Sequence, residues 1–233
     1  MRTQKPDRKK LFRKGMKTLI VSDIHLTHIF DEKKFLFLEN LFSSFEKIIL
    51  NGDFWDGYST TFDRFISSRW NALFPLLKKK GAIYLYGNHD QKYFNDERMS
   101  LFSIEQKDSH ILEIDSTIYH IEHGHLLYPS MDMTLHIPRK KLFKYMNTVF
   151  HYFEHKFILL KSPHNFILKA ANRTIKKKLR IKQFPHWYLC GHTHFAEFDL
   201  IHKFANSGFV QYGKATYLIA DSSGLSLRTQ WYR

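Results

Sequence analysis

Short apolar runs that break off at polar, glycine-bearing segments recur along this chain. Thr18-Leu19-Ile20-Val21 leads into Ser22-Asp23-Ile24-His25, and Ile48-Ile49-Leu50 into Asn51-Gly52-Asp53-Phe54-Trp55-Asp56. Ala82 to Tyr86 leads into Gly87-Asn88-His89-Asp90, Ile118 to Ile121 into Glu122-His123-Gly124-His125, and Trp187 to Cys190 into Gly191-His192-Thr193-His194. Unbroken apolar runs of this length, bounded by turn residues, predict strands buried on both faces, as in parallel sheets. Open α/β sheets build their sites at the carboxyl ends of such strands. Five strands are therefore predicted to carry Asp, Asn and His side chains into one crevice. Further on, Ala196 to Phe204 reads as one strand, with Phe204 to Gly208 as the turn beyond it. Ala215 to Ala220 and Leu225 to Trp231 read as a hairpin across Asp221-Ser222-Ser223-Gly224.

Between the fourth and fifth runs the period changes. Phe143, Met146, Phe150, Phe153, Phe157 and Leu160 are spaced alternately three and four, which predicts an amphipathic helix. Ser162-Pro163 then reads as the N-cap and first position of a second helix. Its apolar members include Ile167, Ala171, Ile175 and Leu179, and Lys176-Lys177-Lys178 gathers charge near its end. The two helices are expected to form an insertion or lid over the crevice at about residues 136–183. That insertion belongs to a single domain spanning 17–233, preceded by a basic tail of residues 1–16.

Composition narrows the class. A chain of 233 residues, 43% hydrophobic, fits one α/β domain with a sizeable core. The net charge of +14 is unevenly placed. Residues 1–17 carry eight Lys/Arg against Asp7 alone, and residues 138–183 carry thirteen against Glu154 alone, which leaves the remainder net acidic. Basic blocks of this kind suit an anionic partner, either a phospholipid surface or nucleic acid. The aromatic stripe running beside the basic face favours an anionic membrane. One cysteine, Cys190, excludes a disulfide framework and a thiolate metal site, and reads as a small buried hydrophobe. With neither a signal-peptide core nor a run of about 18 apolar residues, the chain is expected in the cytoplasm, free or peripheral on the inner face of the membrane.

Each polar segment taken singly is explained by an ordinary strand end. Five in succession, all bearing oxygen and imidazole donors, point to a site for borderline divalent ions such as Mn, Fe or Zn. Asp23-x-His25, Gly52-Asp53-x-x-Asp56, Gly87-Asn88-His89-Asp90, His123-Gly124-His125 and Gly191-His192-x-His194 resemble the signature of the calcineurin-like metallophosphoesterases. The resemblance implies a four-layer α/β/β/α sandwich, here with a basic helical insertion, and two divalent ions, Mn2+ foremost, at the strand ends. It places Asp23, His25 and His194 on one ion and Asn88, His123 and His192 on the other, with Asp53 shared.

The implied activity is hydrolysis of a phosphodiester or pyrophosphate by in-line attack of a hydroxide held between the ions. His89 would contact the phosphoryl group or protonate the leaving oxygen, and Asp90 would orient its imidazole. Asp56 and His125 would support the ligands from behind. The chain's length and its basic insertion further resemble the UDP-2,3-diacylglucosamine pyrophosphatases. That implies a nucleotide-linked lipid substrate, bound by Asn88, His89, Arg139, Lys140 and Lys176. His89 and His125 stand where the best-known branch of that group has Arg and Asp. Two other readings stay open: a nuclease or nucleotide phosphodiesterase using the basic surface, and a non-catalytic interaction module on the same fold.

Overall fold

The computed structural model describes residues 16–129 and 164–232. Its architecture follows from how the apolar runs divide their side chains between two faces. In β1 (Thr18–Val21) Leu19 and Val21 face one way and Ile20 the other; in β2 (Lys47–Asn51) Ile48 and Leu50 oppose Ile49. Both faces are apolar, so both must be covered.

Leu19, Val21, Ile48, Leu50 and Tyr84 pack under α1 (Glu32–Ser43), α2 (Phe62–Ile66) and α3 (Phe74–Lys79), which bury Leu38, Phe42, Phe65, Phe74 and Leu77. The opposite face, with Ile20, Ile49, Ile83 and Leu85, packs on a second sheet through Leu112, Ile114, Tyr119, Ile121, Leu189 and Ala205. That second sheet alternates in turn. Tyr188, Cys190 and Phe204 point outward and are covered by Ile175 and Leu179 of α4 (His164–Ile181). The layers are therefore helix, sheet, sheet and helix. At roughly 1.5–3 kcal/mol for each fully buried Leu, Ile or Phe, the inter-sheet layer is a main source of stability.

The first sheet runs β10 (Val210–Gln211), β11 (Lys214–Asp221), β1, β2, β3 (Ile83–Leu85) and β4 (Glu105–Lys107), with β12 (Gly224–Trp231) paired to β11. The second runs β5 (Ser109–Ile114), β6 (Thr117–Glu122), β7 (Trp187–Cys190), β9 (Phe204–Asn206) and β8 (Glu197–Asp199). β1, β2 and β3 are mutually parallel, and so are β6, β7 and β9. Each trio therefore delivers its carboxyl ends to one pole.

Two expectations change. Residues 196–204 form no single strand: β8 ends at Asp199, and Leu200 to Lys203 turn the chain back into β9. Phe204 to Asn206 are consequently strand and not turn. Of the insertion expected at about 136–183, only α4 is among the described residues. Ala171, Ile175 and Leu179 are buried on the second sheet, so α4 is an outer layer of the sandwich, while Ile167 is 62% exposed. The helix expected over Phe143 to Leu160 and the Ser162-Pro163 cap lie outside the described residues.

Candidate metal centre

The five polar segments meet where the strands end, and main-chain hydrogen bonds lace them together. After β1, the N–H groups of Asp23, Ile24 and His25 donate to Gly52 O and Asp53 O beyond β2, at 2.8–3.1 Å. Gly57 N donates to His89 O at 2.9 Å, and Gly191 N to His123 O at 3.0 Å, which joins the loops of the second sheet. Such tight crossings leave little room for regular backbone. Asp23, His25, Asp53, His192 and His194 all adopt left-handed conformations, with φ between 49° and 67°. Each costs on the order of 1–3 kcal/mol outside glycine and persists only where the surroundings impose it. Gly52, at φ 80°, has a second constraint, because a Cβ there would lie 2.4 Å from His123 Nδ1. Only glycine lets the His123 ring sit against that turn.

The donors converge closely. His194 Nε2 lies 3.2 Å from Asp23 Oδ1 and 3.3 Å from His25 Nε2. Asp53 Oδ2 lies 3.8 Å from His25 Nε2 and 3.2 Å from His123 Nε2, and so stands between two groups of donors. His123 Nε2 is also 3.2 Å from Asn88 Oδ1. Asp23, His25 and His194 form one cluster able to hold a cation, and Asp23, Asp53 and His123 another. His192 lies outside both, but its ring is 5.2 Å from that of His123.

The outer contacts fix which nitrogen of each imidazole carries a lone pair. His123 Nδ1–H donates to Asn51 O at 2.9 Å, turning Nε2 toward Asp53 and Asn88. His192 Nε2–H donates to Tyr128 O at 2.7 Å, which leaves the lone pair on Nδ1.

The donor set fits divalent ions. Asp23 Oδ1 is buried and accepts no hydrogen bond, although its other oxygen accepts from His192 N at 2.9 Å and from Ser22 Oγ. Ligands held about 2.1 Å from a common ion lie some 3–3.5 Å apart, close to the shorter spacings here. Electrostatics agree. Burial works against ionisation of Asp23 and Asp53, but the neighbouring histidines together outweigh it and hold both below the usual carboxylate range. His123 acts foremost, with His194 beside Asp23 and His89 and His25 beside Asp53. Burial pulls His25 and His192 down to about 3, which keeps them neutral. Burial also opposes the charge on His123, but Asp53 and Asp23 raise it to about 9. In the metal-free protein that imidazolium stands in for a cation.

Around this core the expected roles are redistributed. His89 Nδ1 pairs with Asp56 Oδ1 at 3.1 Å, so Asp56 orients the imidazole. Asp90 does not. Its carboxylate turns inward, accepting from Gly87 N at 2.7 Å, Phe54 N at 2.8 Å and the Tyr84 hydroxyl, and burial with Asp53 nearby raises it to about 7. Adjacent side chains in a bent loop leave on opposite sides, and only His89 faces the ligands, its ring 4.5 Å from that of His25. His125 stands behind His123 at 5.5 Å between ring centres, pulled to about 4 by burial. Lys176 is engaged elsewhere, 2.6 Å from both Glu197 and Asp199, because its side of α4 faces β8. Arg139 and Lys140 lie outside the described residues.

The motifs alone do not reveal Lys34, whose Nζ donates to Ile24 O at 2.6 Å, or Asn172 of α4. Asn172 Oδ1 accepts from Thr193 Oγ1 at 2.7 Å and from Asn206 Nδ2 at 3.1 Å, and its Nδ2 donates to Phe195 O at 3.0 Å. A polar residue beside Ala171 on an otherwise apolar helix face is the signal that finds it.

Several solved structures are similar to this chain. An archaeal phosphodiesterase structure is similar at 19% identity, covering 93% of this chain and 99% of its own, with a TM-score of 0.49. YfcE, a phosphoesterase from E. coli, is similar at 16% identity, over 94% and 100%, with a TM-score of 0.48. Vps29 from Entamoeba histolytica, solved with zinc, is similar at 12% identity, over 94% and 100%, with a TM-score of 0.47. No curated protein matches significantly. The family model for calcineurin-like phosphoesterases matches residues 16–196, a span that holds β1, β2, β3, β6, β7 and every candidate ligand. With that match over most of its length and the donors drawn together at its strand ends, the chain belongs to the calcineurin-like phosphoesterase family.

Proposed function

We propose that this protein hydrolyses a phosphodiester or pyrophosphate with two divalent ions, manganese in preference, held by Asp23, His25, Asp53, Asn88, His123, His192 and His194. The observation that carries the reading is the position of Asp53 Oδ2, within 3.8 Å of His25 Nε2 and 3.2 Å of His123 Nε2, where a carboxylate can serve both groups of donors. Bound there, such ions supply Lewis-acid stabilisation of phosphoryl charge and lower the pKa of water to near neutrality.

The chain's own residues do the rest. Asn88 offers a neutral oxygen, which adds no negative charge where a phosphate binds. Asp56 holds His89 Nδ1–H, so Nε2 is the nitrogen that passes a proton to the leaving oxygen. Neither the family match nor the described structure requires a lipid-linked substrate. α4 packs as an outer layer, the helix expected over Phe143 to Leu160 lies outside the described residues, and among the described residues no helix is long and apolar enough to cross a membrane. A non-catalytic module is disfavoured by the presence of all seven donors.

The test is a phosphohydrolase panel with Mn2+ present, spanning monoesters, diesters, nucleotide sugars and UDP-diacylglucosamine. Chelator-sensitive hydrolysis of a diester or diphosphate is expected. Inertness toward the whole panel would overturn the reading.

A further inference from the structure

The candidate ligands gather at the carboxyl ends of the parallel strands. At the amino ends of β7 and β9, on the opposite pole, the chain exposes large aliphatic side chains. Leu200-Ile201-His202-Lys203 turns β8 into β9, with Lys203 N donating to Leu200 O at 3.3 Å. Leu200 is 70% exposed and Ile201 90%, and Ile181, the last residue of α4, is 69% exposed. Tight turns ordinarily carry Gly, Asn, Asp or Ser at such positions.

The turn is firmly held. His202 N and Nδ1 lie 3.1 and 2.8 Å from the two carboxylate oxygens of Asp199. Lys203 Nζ donates to Pro185 O at 3.2 Å, and Tyr188 N to Lys203 O at 2.8 Å, which ties the turn to the segment that follows α4. Exposed cations accompany the aliphatic residues: Arg180 and Lys182 on either side of Ile181, and Lys203 in the turn. Asp199, the acid next to the turn, is engaged by Lys176 at 2.6 Å and by His202. Of the other acids at this pole, Asp221 is offset by Lys17, and Asp115, in the turn before β6, stands across β7 from β9. β1 also begins at this pole, so residues 1–15, with seven Lys/Arg against Asp7, are attached at the same end.

We propose that this pole docks on an anionic lipid bilayer. Leu200 and Ile201 enter the boundary between headgroups and acyl chains, and Arg180, Lys182 and Lys203 rest on the headgroups. A projecting aliphatic pair with cations beside it suits that boundary, where apolar burial and attraction to anionic lipid act together. Docked in this way, the candidate metal centre faces away from the bilayer and takes its substrate from the water. The inference stands apart from the phosphoesterase reading, because binding is measured without turnover.

Flotation of the full-length protein with phosphatidylcholine vesicles, with and without phosphatidylglycerol, tests it. The wild type is expected to float with the anionic vesicles alone, and less so in high salt. Leu200→Ser combined with Ile201→Ser should lower vesicle affinity about 10- to 100-fold through the apolar burial lost, with an unchanged melting temperature. Arg180→Gln and Lys182→Gln should each lower it about 5-fold. A polarity-sensitive fluorophore on Ile201→Cys, selective because Cys190 is buried, should shift to the blue on anionic vesicles. A wild type that stays unbound, or a fluorophore that does not respond, overturns the proposal. So does a double serine variant that floats like the wild type, which would assign the binding to the basic tail. A wild-type dimer in sedimentation velocity that the double serine variant dissociates also overturns it, making the pole an interface between two copies.

Discussion

Under the proposed function Asp53 carries two demands at one position, a shared ligand oxygen and a left-handed backbone at φ 53°. Both Asp53→Ala and Asp53→Gly should abolish metal-dependent activity. The glycine variant should be the more stable by about 1 kcal/mol, because only it removes the Cβ penalty; urea unfolding in chelator measures the difference, and equal stabilities would contradict it. His89→Ala should keep its metal content and slow turnover by roughly 10²–10⁴-fold, the usual worth of a positioned acid or base. Full activity on a substrate with a poor leaving group would remove His89 from that role. Lys34 makes a third case. Burial lowers it to about 7 from 10.5, so between those values the unfolded chain binds the extra proton and stability rises with pH. The slope across that window should be absent in Lys34→Met, and parallel wild-type and variant curves would contradict it. At this scale the donors were legible, because residue type and spacing declare them. Which of Asp56 and Asp90 holds His89 was not, since that depends on the direction in which a bent loop sends each side chain.

Among the elements, strands were easier to read than turns. β7 matches its apolar run, Trp187–Cys190, residue for residue. β8 and β9 were fused in the sequence reading because the turn between them, Leu200-Ile201-His202-Lys203, contains no Gly or Pro. Its apolar residues are 70% and 90% exposed at positions 200 and 201, so they do not mark a core strand. α4 was legible as a helix but not as a layer, since periodicity gives a buried face without saying what covers it. Asn172 is where that helix reaches the site, through Thr193 between His192 and His194. Asn172→Leu keeps the volume and removes these bonds. It should weaken metal binding about 10- to 100-fold, as loss of a ligand's supporting partner commonly does. Metal titration of the folded variant reads this, and wild-type affinity would show that α4 merely packs.

For the whole molecule, strands buried on both faces were legible in the apolar runs. The second sheet that covers one of those faces was implied only by the family resemblance, because an apolar face does not say whether a sheet or a helix lies on it. The ends of the chain's basic excess, residues 1–15 and 130–163, lie outside the described residues, so the membrane proposal rests chiefly on the pole formed by the end of α4 and the β8–β9 turn. Protonation ties the whole fold to the site. In metal-free protein His25 and His192, lowered to about 3, favour unfolding as the pH falls from about 6.5, where the unfolded chain takes up protons first. His123 acts in the opposite sense: raised to about 9, its stabilisation is complete below about 6.5 and is lost as the pH rises toward 9. Binding a cation must displace that proton, so Mn2+ affinity should climb between pH 6.5 and 9 with proton release in calorimetry. Affinity independent of pH would contradict the assignment of His123.

The most direct measurement is the metal content, by plasma mass spectrometry, of wild type and Asp53→Ala equilibrated with Mn2+ and freed of excess ion. About two ions per wild-type chain and fewer than about one per variant chain are predicted. A wild type that retains none, or a variant that retains both, would contradict a shared carboxylate at the convergence of these strands.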